Sequence, residues 1–132
     1  MMGQAELTFI GEIRTPYVRL EDCPNNVQAD GPECVLELDQ AYAHGLVGLR
    51  PGQRVLVLYW FEGVDRNRIS QSRGCRGGGA ATGVFSLRSP HRPNPIAAAE
   101  VPILSIADGC LFVRGLDCLD RTKLLDIKPA SR

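Results

Sequence analysis

Residues 101–113 read VPILSIADGCLFV. Two short runs rich in branched and aromatic side chains flank Asp108-Gly109, a dipeptide that accepts positive φ at both turn positions and so closes a two-residue hairpin. The segment is read as antiparallel, residues 101–106 turning back through 111–113.

Working outward, the same kind of signal recurs. Residues 55–61 (VLVLYWF) form a continuous apolar run suited to a buried strand, 33–38 (ECVLEL) alternates, 83–87 is a short extended run, and 7–13 (LTFIGEI) stops at Thr15-Pro16. Only residues 40–49 suggest a short helix. Strands this closely spaced leave no room for the crossover helices of a parallel sheet. The fold class is therefore all-β, an antiparallel barrel or sandwich with at most one or two short helices.

At 132 residues the chain is expected to form a single domain spanning 1–132. Its apolar fraction of 44% suffices for a core and excludes disorder. The N-terminus lacks a basic flank followed by an apolar run, and no stretch approaches the ~18 apolar residues of a membrane span. A cytoplasmic protein without membrane contact is expected.

The formal net charge is zero, which taken alone argues against clamping nucleic acid by bulk electrostatics. The sum hides a split. Residues 66–99 hold Arg66, Arg68, Arg73, Arg76, Arg88 and Arg92 without one Asp or Glu, so the remainder is acidic. Thirteen of the 15 basic residues are arginine, whose planar fork suits phosphate, carboxylate and base edges.

Five cysteines (23, 34, 75, 110 and 118) include no C-x-x-C pair, and with only His44 and His91 to complete a set they read as reduced thiols, with no metal expected. Three glycines at 77–79 lack the G-K-[ST] of a phosphate loop, and no G-x-G-x-x-G opens a helix after a strand. Residues 73–83 read as an exposed flexible loop.

Two clusters could carry chemistry. In residues 87–96 (LRSPHRPNPI), three prolines stiffen a loop that carries Arg88, His91, Arg92 and Asn94. A rigid polar loop can present a site; it can equally be a surface crossover whose arginines pair with acids. Residues 116–128 (LDCLDRTKLLDIK) space Asp117, Asp120 and Asp126 around a turn, either to accept hydroxyls or as turn formers. Of the adjacent Tyr59, Trp60 and Phe61, at least one must face a core.

GVFSLRSPHRPNPIA (83–97) followed by GLDCLDRTKLLDIKPA (115–130) resembles the paired signatures of the TrmO (YaeB-like, VirR-like) family, approximately G-V-F-A-T-R-S-P-x-R-P-N-P-I-G and L-D-x-x-D-G-T-P-V-L-D-I-K-P-Y. Residues 10–17 (IGEIRTPY) are similar to its N-terminal I-G-x-I-x-S-P-Y, and 45–59 to its G-L-x-G-L segment with the strand that follows.

The resemblance implies a small antiparallel β-barrel, usually a homodimer, that binds S-adenosylmethionine. It also implies methylation of N6 of threonylcarbamoyladenosine at position 37, in the anticodon loop of certain tRNAs. By position it places Arg88, Asn94, Asp117 and Asp120 around the methyl donor. Pro24, Asn25 and Asn26, with Phe61, Glu62, Ala98 and Leu119, are expected there too.

For the transfer itself, Arg92 is the candidate to hold the threonylcarbamoyl carboxylate, His91 to take the N6 proton, and Asp126 is the second candidate base. The chain departs from the family pattern at Asn25, Ala97, Arg121, Lys123 and Ala130. A non-catalytic barrel that binds S-adenosylmethionine or RNA is the alternative.

Overall fold

The computed structural model describes residues 3–72 and 81–131. It contains nine strands among these residues: β1 (Gly11–Arg14), β2 (Glu33–Leu38), β3 (Arg54–Trp60), β4 (Ser70–Ser72), β5 (Ala81–Gly83), β6 (Ile96–Pro102), β7 (Ser105–Ala107), β8 (Cys110–Arg114) and β9 (Thr122–Pro129). Seven of them form one sheet in the order β6-β3-β9-β1-β2-β8-β7, and β4 pairs with β5. The chain divides into two compact units, Met1–Tyr59 with Ala98–Arg132, and Trp60–Ala97.

In the larger unit the period of two decides what is buried. Ile13 of β1, Leu36 of β2, Val55, Val57 and Tyr59 of β3, Ala99 and Val101 of β6, Leu111 and Val113 of β8 and Leu124 of β9 all lie in the core. β3 is a correction to the continuous run expected there, because Leu56, Leu58 and Trp60 alternate with the buried positions and stay partly exposed.

The hairpin forms at the expected turn, but the run expected over 101–106 is broken: Val101 and Pro102 end β6, and only β7 (Ser105–Ala107) pairs back onto β8. Asp108 (φ 53°) and Gly109 (φ 75°) are both left-handed, and Ala107 lies opposite Cys110.

β6 and β7 are consecutive in the chain, and the backbone changes partners between them within one residue. Ile103 accepts from Gly52 N–H (2.7 Å) and donates to the Gln53 carbonyl (2.9 Å) ahead of β3, while Leu104 N–H donates to Phe112 of β8 (2.7 Å). The two ends of the sheet are thus joined through the chain. No ladder links β6 to β7, so the sheet is not closed by hydrogen bonds into the barrel expected.

The segment read as a short helix is a 3₁₀ helix at Gln40–Leu46 that buries only Leu46. β1 starts later than expected, at Gly11, whose missing Cβ admits the Glu37 carbonyl of β2. β9 was not expected as a strand at all, yet it lies at the middle of the sheet beside β1 and β3.

In the smaller unit, β4 and β5 pair antiparallel, Ser70 opposite Gly83. The ladder ends where Val84 N–H reaches the Ile69 carbonyl (3.0 Å), and Val84–Ser86 then turn as 3₁₀ instead of extending through residue 87. Val84 is fully buried. Most of the glycine-rich segment, with Arg73, Cys75 and Arg76, lies outside the described residues. No helix among the described residues is long and apolar enough to cross a membrane.

Candidate functional site

Eight of the expected site residues belong to the larger unit. Pro24, Asn25 and Asn26 follow a 3₁₀ turn at Leu20–Asp22, Ala98 is on β6, Asp117, Leu119 and Asp120 fill the turn between β8 and β9, and Asp126 is on β9. Backbone hydrogen bonds centred on Gly115 bring the first and third groups together. Gln28 N–H donates to the Gly115 carbonyl (2.8 Å), and Gly115 N–H donates to the Pro32 carbonyl (2.9 Å).

Gly115 has φ +89°, and a Cβ there would fall on the Gln28 carbonyl oxygen. Glycine is therefore required twice, for the left-handed backbone and for the approach of the other chain segment.

Asp117 is half-buried, and its Oδ1 accepts the Tyr59 hydroxyl (2.8 Å). Tyr59 itself is 2% exposed, so β3 fixes the carboxylate from within the core. Its second oxygen has no partner among the described residues. Cys23 lies close enough for the Asp117 charge to raise its thiol further, after the larger effect of burial. That places the 20–28 segment beside this carboxylate.

Asp120 does different work. Its Oδ1 accepts Arg14 Nε (2.9 Å) and Thr15 N–H (3.0 Å), and its Oδ2 accepts Arg14 Nη2 (3.4 Å). The Arg14 hydrogen bond holds the Asp120 carboxyl below the usual carboxylate range, and Thr15 N–H adds to it. Both oxygens tie the turn to the end of β1. Asp126 is paired with Lys128 (3.4 Å) and accepts its neighbour's N–H from Ile127 (2.9 Å).

Cys34 and Cys118 are buried, and burial pushes the Cys118 thiol up to about 12, so it stays protonated and inert at neutral pH.

The departures from the family pattern find distinct places. Arg121 stands where the family has glycine and keeps a left-handed backbone, φ 69°. Lys123 lies opposite Glu12 across the β1–β9 ladder and pairs with it at 3.1 Å. Ala97 is on β6, where no positive φ is needed.

The other six expected residues, Phe61, Glu62, Arg88, His91, Arg92 and Asn94, belong to the smaller unit. Arg66 organises the proline-rich loop. Its guanidinium lies 5.1 Å from the Trp60 ring centroid, donates from Nε to the Pro93 carbonyl (2.8 Å) and from Nη2 to Asn94 Oδ1 (3.3 Å).

Arg92 Nη1 donates to the Leu87 (2.9 Å) and Ser89 (3.1 Å) carbonyls. One edge of its fork supports the loop, and the Nε–Nη2 edge has no partner among the described residues. His91 Nδ1 accepts Asp65 N–H (3.0 Å), so the neutral ring carries its proton on Nε2. Ser89 Oγ bonds Gln71 Oε1 (3.0 Å), which also accepts Arg68 Nη1 (3.3 Å). Arg88 and Glu62 are exposed and Phe61 is half-buried.

Arg14, Tyr59, Asp65, Arg66 and Gly115 are supports that no spacing in the sequence marks, since each partner is remote along the chain. Two shallow depressions of the larger unit, about 230 Å³ beside Glu12 and Glu37 and about 390 Å³ beside Leu46 and Ile106, contain none of the expected residues.

A family model described as the tRNA-methyltransferase O N-terminal domain matches residues 12–132. The probable S-adenosyl-L-methionine-binding protein VirR of Rhizobium radiobacter is 42% identical over 96% of this chain and 71% of its own. A probable S-adenosyl-L-methionine-binding protein of Halobacterium salinarum is 34% identical over 93% of this chain and 96% of its own. The tRNA (adenine(37)-N6)-methyltransferase of Mus musculus is 39% identical over 65% of this chain and 20% of its own.

Among solved structures, TrmO from Pseudomonas aeruginosa superposes with a TM-score of 0.75 at 28% identity, over 98% of this chain. The present chain spans 57% of that protein's length. On these grounds the chain belongs to the tRNA-methyltransferase O N-terminal domain family.

Proposed function

We propose that this protein is an S-adenosylmethionine-dependent methyltransferase that acts on N6 of the adenine at position 37 of tRNA, in the anticodon loop, with threonylcarbamoyladenosine as the modified base. The observation that carries the reading is Asp117. It is a half-buried carboxylate fixed by a core tyrosine, with one oxygen left to accept a donor, on a turn that Gly115 locks to the 24–28 segment.

Those features fit a methyl donor that carries ribose hydroxyls and an ammonium group. Asp117 would accept from it, with Pro24, Asn25, Asn26, Leu119 and Ala98 as further contacts of the larger unit; for Arg88, Asn94, Phe61 and Glu62 of the smaller unit a part in donor binding rests on the resemblance alone. When bound, S-adenosylmethionine supplies a sulfonium-activated methyl group. Asp120 has both oxygens engaged, so its part is to position the turn that carries Asp117.

Arg92 would hold the threonylcarbamoyl carboxylate with its Nε–Nη2 edge, while its Nη1 keeps the loop in shape. His91 is the proposed acceptor of the N6 proton, which requires it first to release Asp65 N–H; Asp126 is the second candidate. The reading includes a homodimer in the cytoplasm, and takes the passage from β6 to β7 as the seam of a barrel.

The test is nucleoside mass spectrometry after incubation with tRNA bearing or lacking threonylcarbamoyladenosine. N6-methyl product from the modified tRNA alone is the expected result. No product from either, with calorimetric titration showing that the donor binds, would reduce the protein to a non-catalytic binder.

A further inference from the structure

Phe85 is 83% exposed, and Ile69 is 72% exposed. Both flank one fixed point, the hydrogen bond from Val84 N–H to the Ile69 carbonyl at the end of the β4–β5 ladder. Val84 is fully buried, and Leu87 N–H closes the 3₁₀ turn onto its carbonyl (3.0 Å). The residue after a buried anchor on a closed turn is thus held outward. An aromatic ring kept in water by a rigid backbone has no packing reason to be there.

Its surroundings indicate what covers it. Among the described residues of 60–97 are four arginines, Arg66, Arg68, Arg88 and Arg92, against two carboxylates, Glu62 and Asp65, and Asp65 pairs with Arg68 at 3.6 Å. Arg66 and Arg92 bond carbonyl and amide oxygens, so their charge is not cancelled by those contacts. A cationic unit that presents a rigid exposed ring matches the chemistry of an unpaired nucleobase on a phosphate backbone. Such sites combine a positive groove with an aromatic face on which bases stack. A second apolar protein surface would gain nothing from the positive charge of this unit.

We propose that Phe85 is a stacking platform for an unpaired base of the RNA substrate, Ile69 lying at the rim. This rests on the tRNA reading above and deepens it, because it assigns substrate recognition to a residue outside the expected donor site.

The experiment uses the full chain and an anticodon stem-loop RNA in which 2-aminopurine replaces loop bases one at a time. Stacking on a ring quenches that fluorophore, and anisotropy of a labelled copy gives affinity. Base–aromatic stacking of about 1–3 kcal/mol corresponds to a loss of roughly 5- to 150-fold in Phe85→Ala. Phe85→Trp should keep both affinity and quenching at one loop position, and Phe85→Leu should lose the quenching.

The slope of log Kd against log salt should be the same in Phe85→Ala as in the parent, since no charge is removed. Unchanged RNA affinity in Phe85→Ala, or equal quenching in the leucine and parent proteins, overturns the proposal. So does a parent protein that binds no RNA, or a Phe85→Ala protein that changes only its sedimentation behaviour, which would assign the face to protein. Donor binding and methyl product are read separately, so RNA stacking without methylation would sink the enzyme reading and leave this one standing.

Discussion

Replacing Gly115 by alanine should damage stability and donor binding together. The backbone at 115 has φ +89°, and holding a residue with a Cβ there costs about 1–3 kcal/mol. The new methyl would also fall on the Gln28 carbonyl oxygen, so the 24–32 segment must move away and the bond from Gln28 N–H to Gly115 is lost, at about 1 kcal/mol more. The total, about 2–4 kcal/mol, is a large part of the ~5–15 kcal/mol that holds a domain of this kind folded.

At about 4 °C per kcal/mol for a chain of this size, the midpoint in differential scanning calorimetry should fall by about 8–16 °C. Because the displaced segment carries Pro24, Asn25 and Asn26, calorimetric titration with S-adenosylmethionine should show at least a tenfold weaker Kd, of order 1.4 kcal/mol. Gly45→Ala is the control. Gly45 has open space around it and is not left-handed, so alanine there should be neutral or stabilise by up to about 1 kcal/mol. A Gly115→Ala protein that melts within about 3 °C of the parent and binds the donor equally well would refute the idea that this glycine joins the two segments.

Arg121→Gly should raise stability by about 0.5–1 kcal/mol in urea unfolding, because relief of the left-handed backbone exceeds the added freedom of the unfolded chain; a loss would show that the exposed Arg121 side chain contributes more than its backbone costs. Asp120 titrates below the usual carboxylate range, so its contribution is complete above about pH 4 and is lost as pH falls through its lowered value. Unfolding series should therefore show a steeper acid decline in the parent than in Asp120→Asn, and identical slopes would remove the Arg14 pairing as the cause. Arg92→Ala should weaken binding of threonylcarbamoyl-bearing tRNA about tenfold more than that of unmodified tRNA, of order 1.4 kcal/mol. Equal losses on both would confine Arg92 to supporting the Leu87–Ser89 carbonyls.

The sequence made some of this legible and not the rest, for physical reasons. Asp108-Gly109 announced its hairpin because the turn is determined by local chemistry, and the alternation of residues 33–38 announced β2 because Cys34 and Leu36 are buried while their neighbours Glu33, Val35 and Glu37 are not. β9 stayed hidden: of its eight residues only Leu124 is fully buried, and Lys123, Asp126 and Lys128 give it the look of a polar turn. The segment read as a strand through residue 87 turned instead, because its ladder partner ends at Ser70.

At the site, the carboxylates and arginines were identifiable by residue type, but their supports were not. Asp117 pairs with Tyr59 58 residues away and Asp120 with Arg14 106 residues away, and no local pattern encodes either. Likewise, Arg121 was legible as a departure from the family pattern, but its left-handed backbone, a conformation that favours glycine, was not.

The β1–β9 ladder has a consequence for how the protein is made. It sets Gly11 opposite Leu124, among the most distant pairings the chain allows. Closing so long a loop is entropically slow, and a topology dominated by such contacts folds in milliseconds to seconds rather than microseconds. During synthesis β1 can pair with β2 early, but its other edge has no partner until residue 124 has left the ribosome. For that interval a strand destined for the middle of the sheet is an open edge, the kind of surface on which nascent chains associate. Circular permutants that place β9 directly ahead of β1 would close that edge first, and should refold faster and aggregate less.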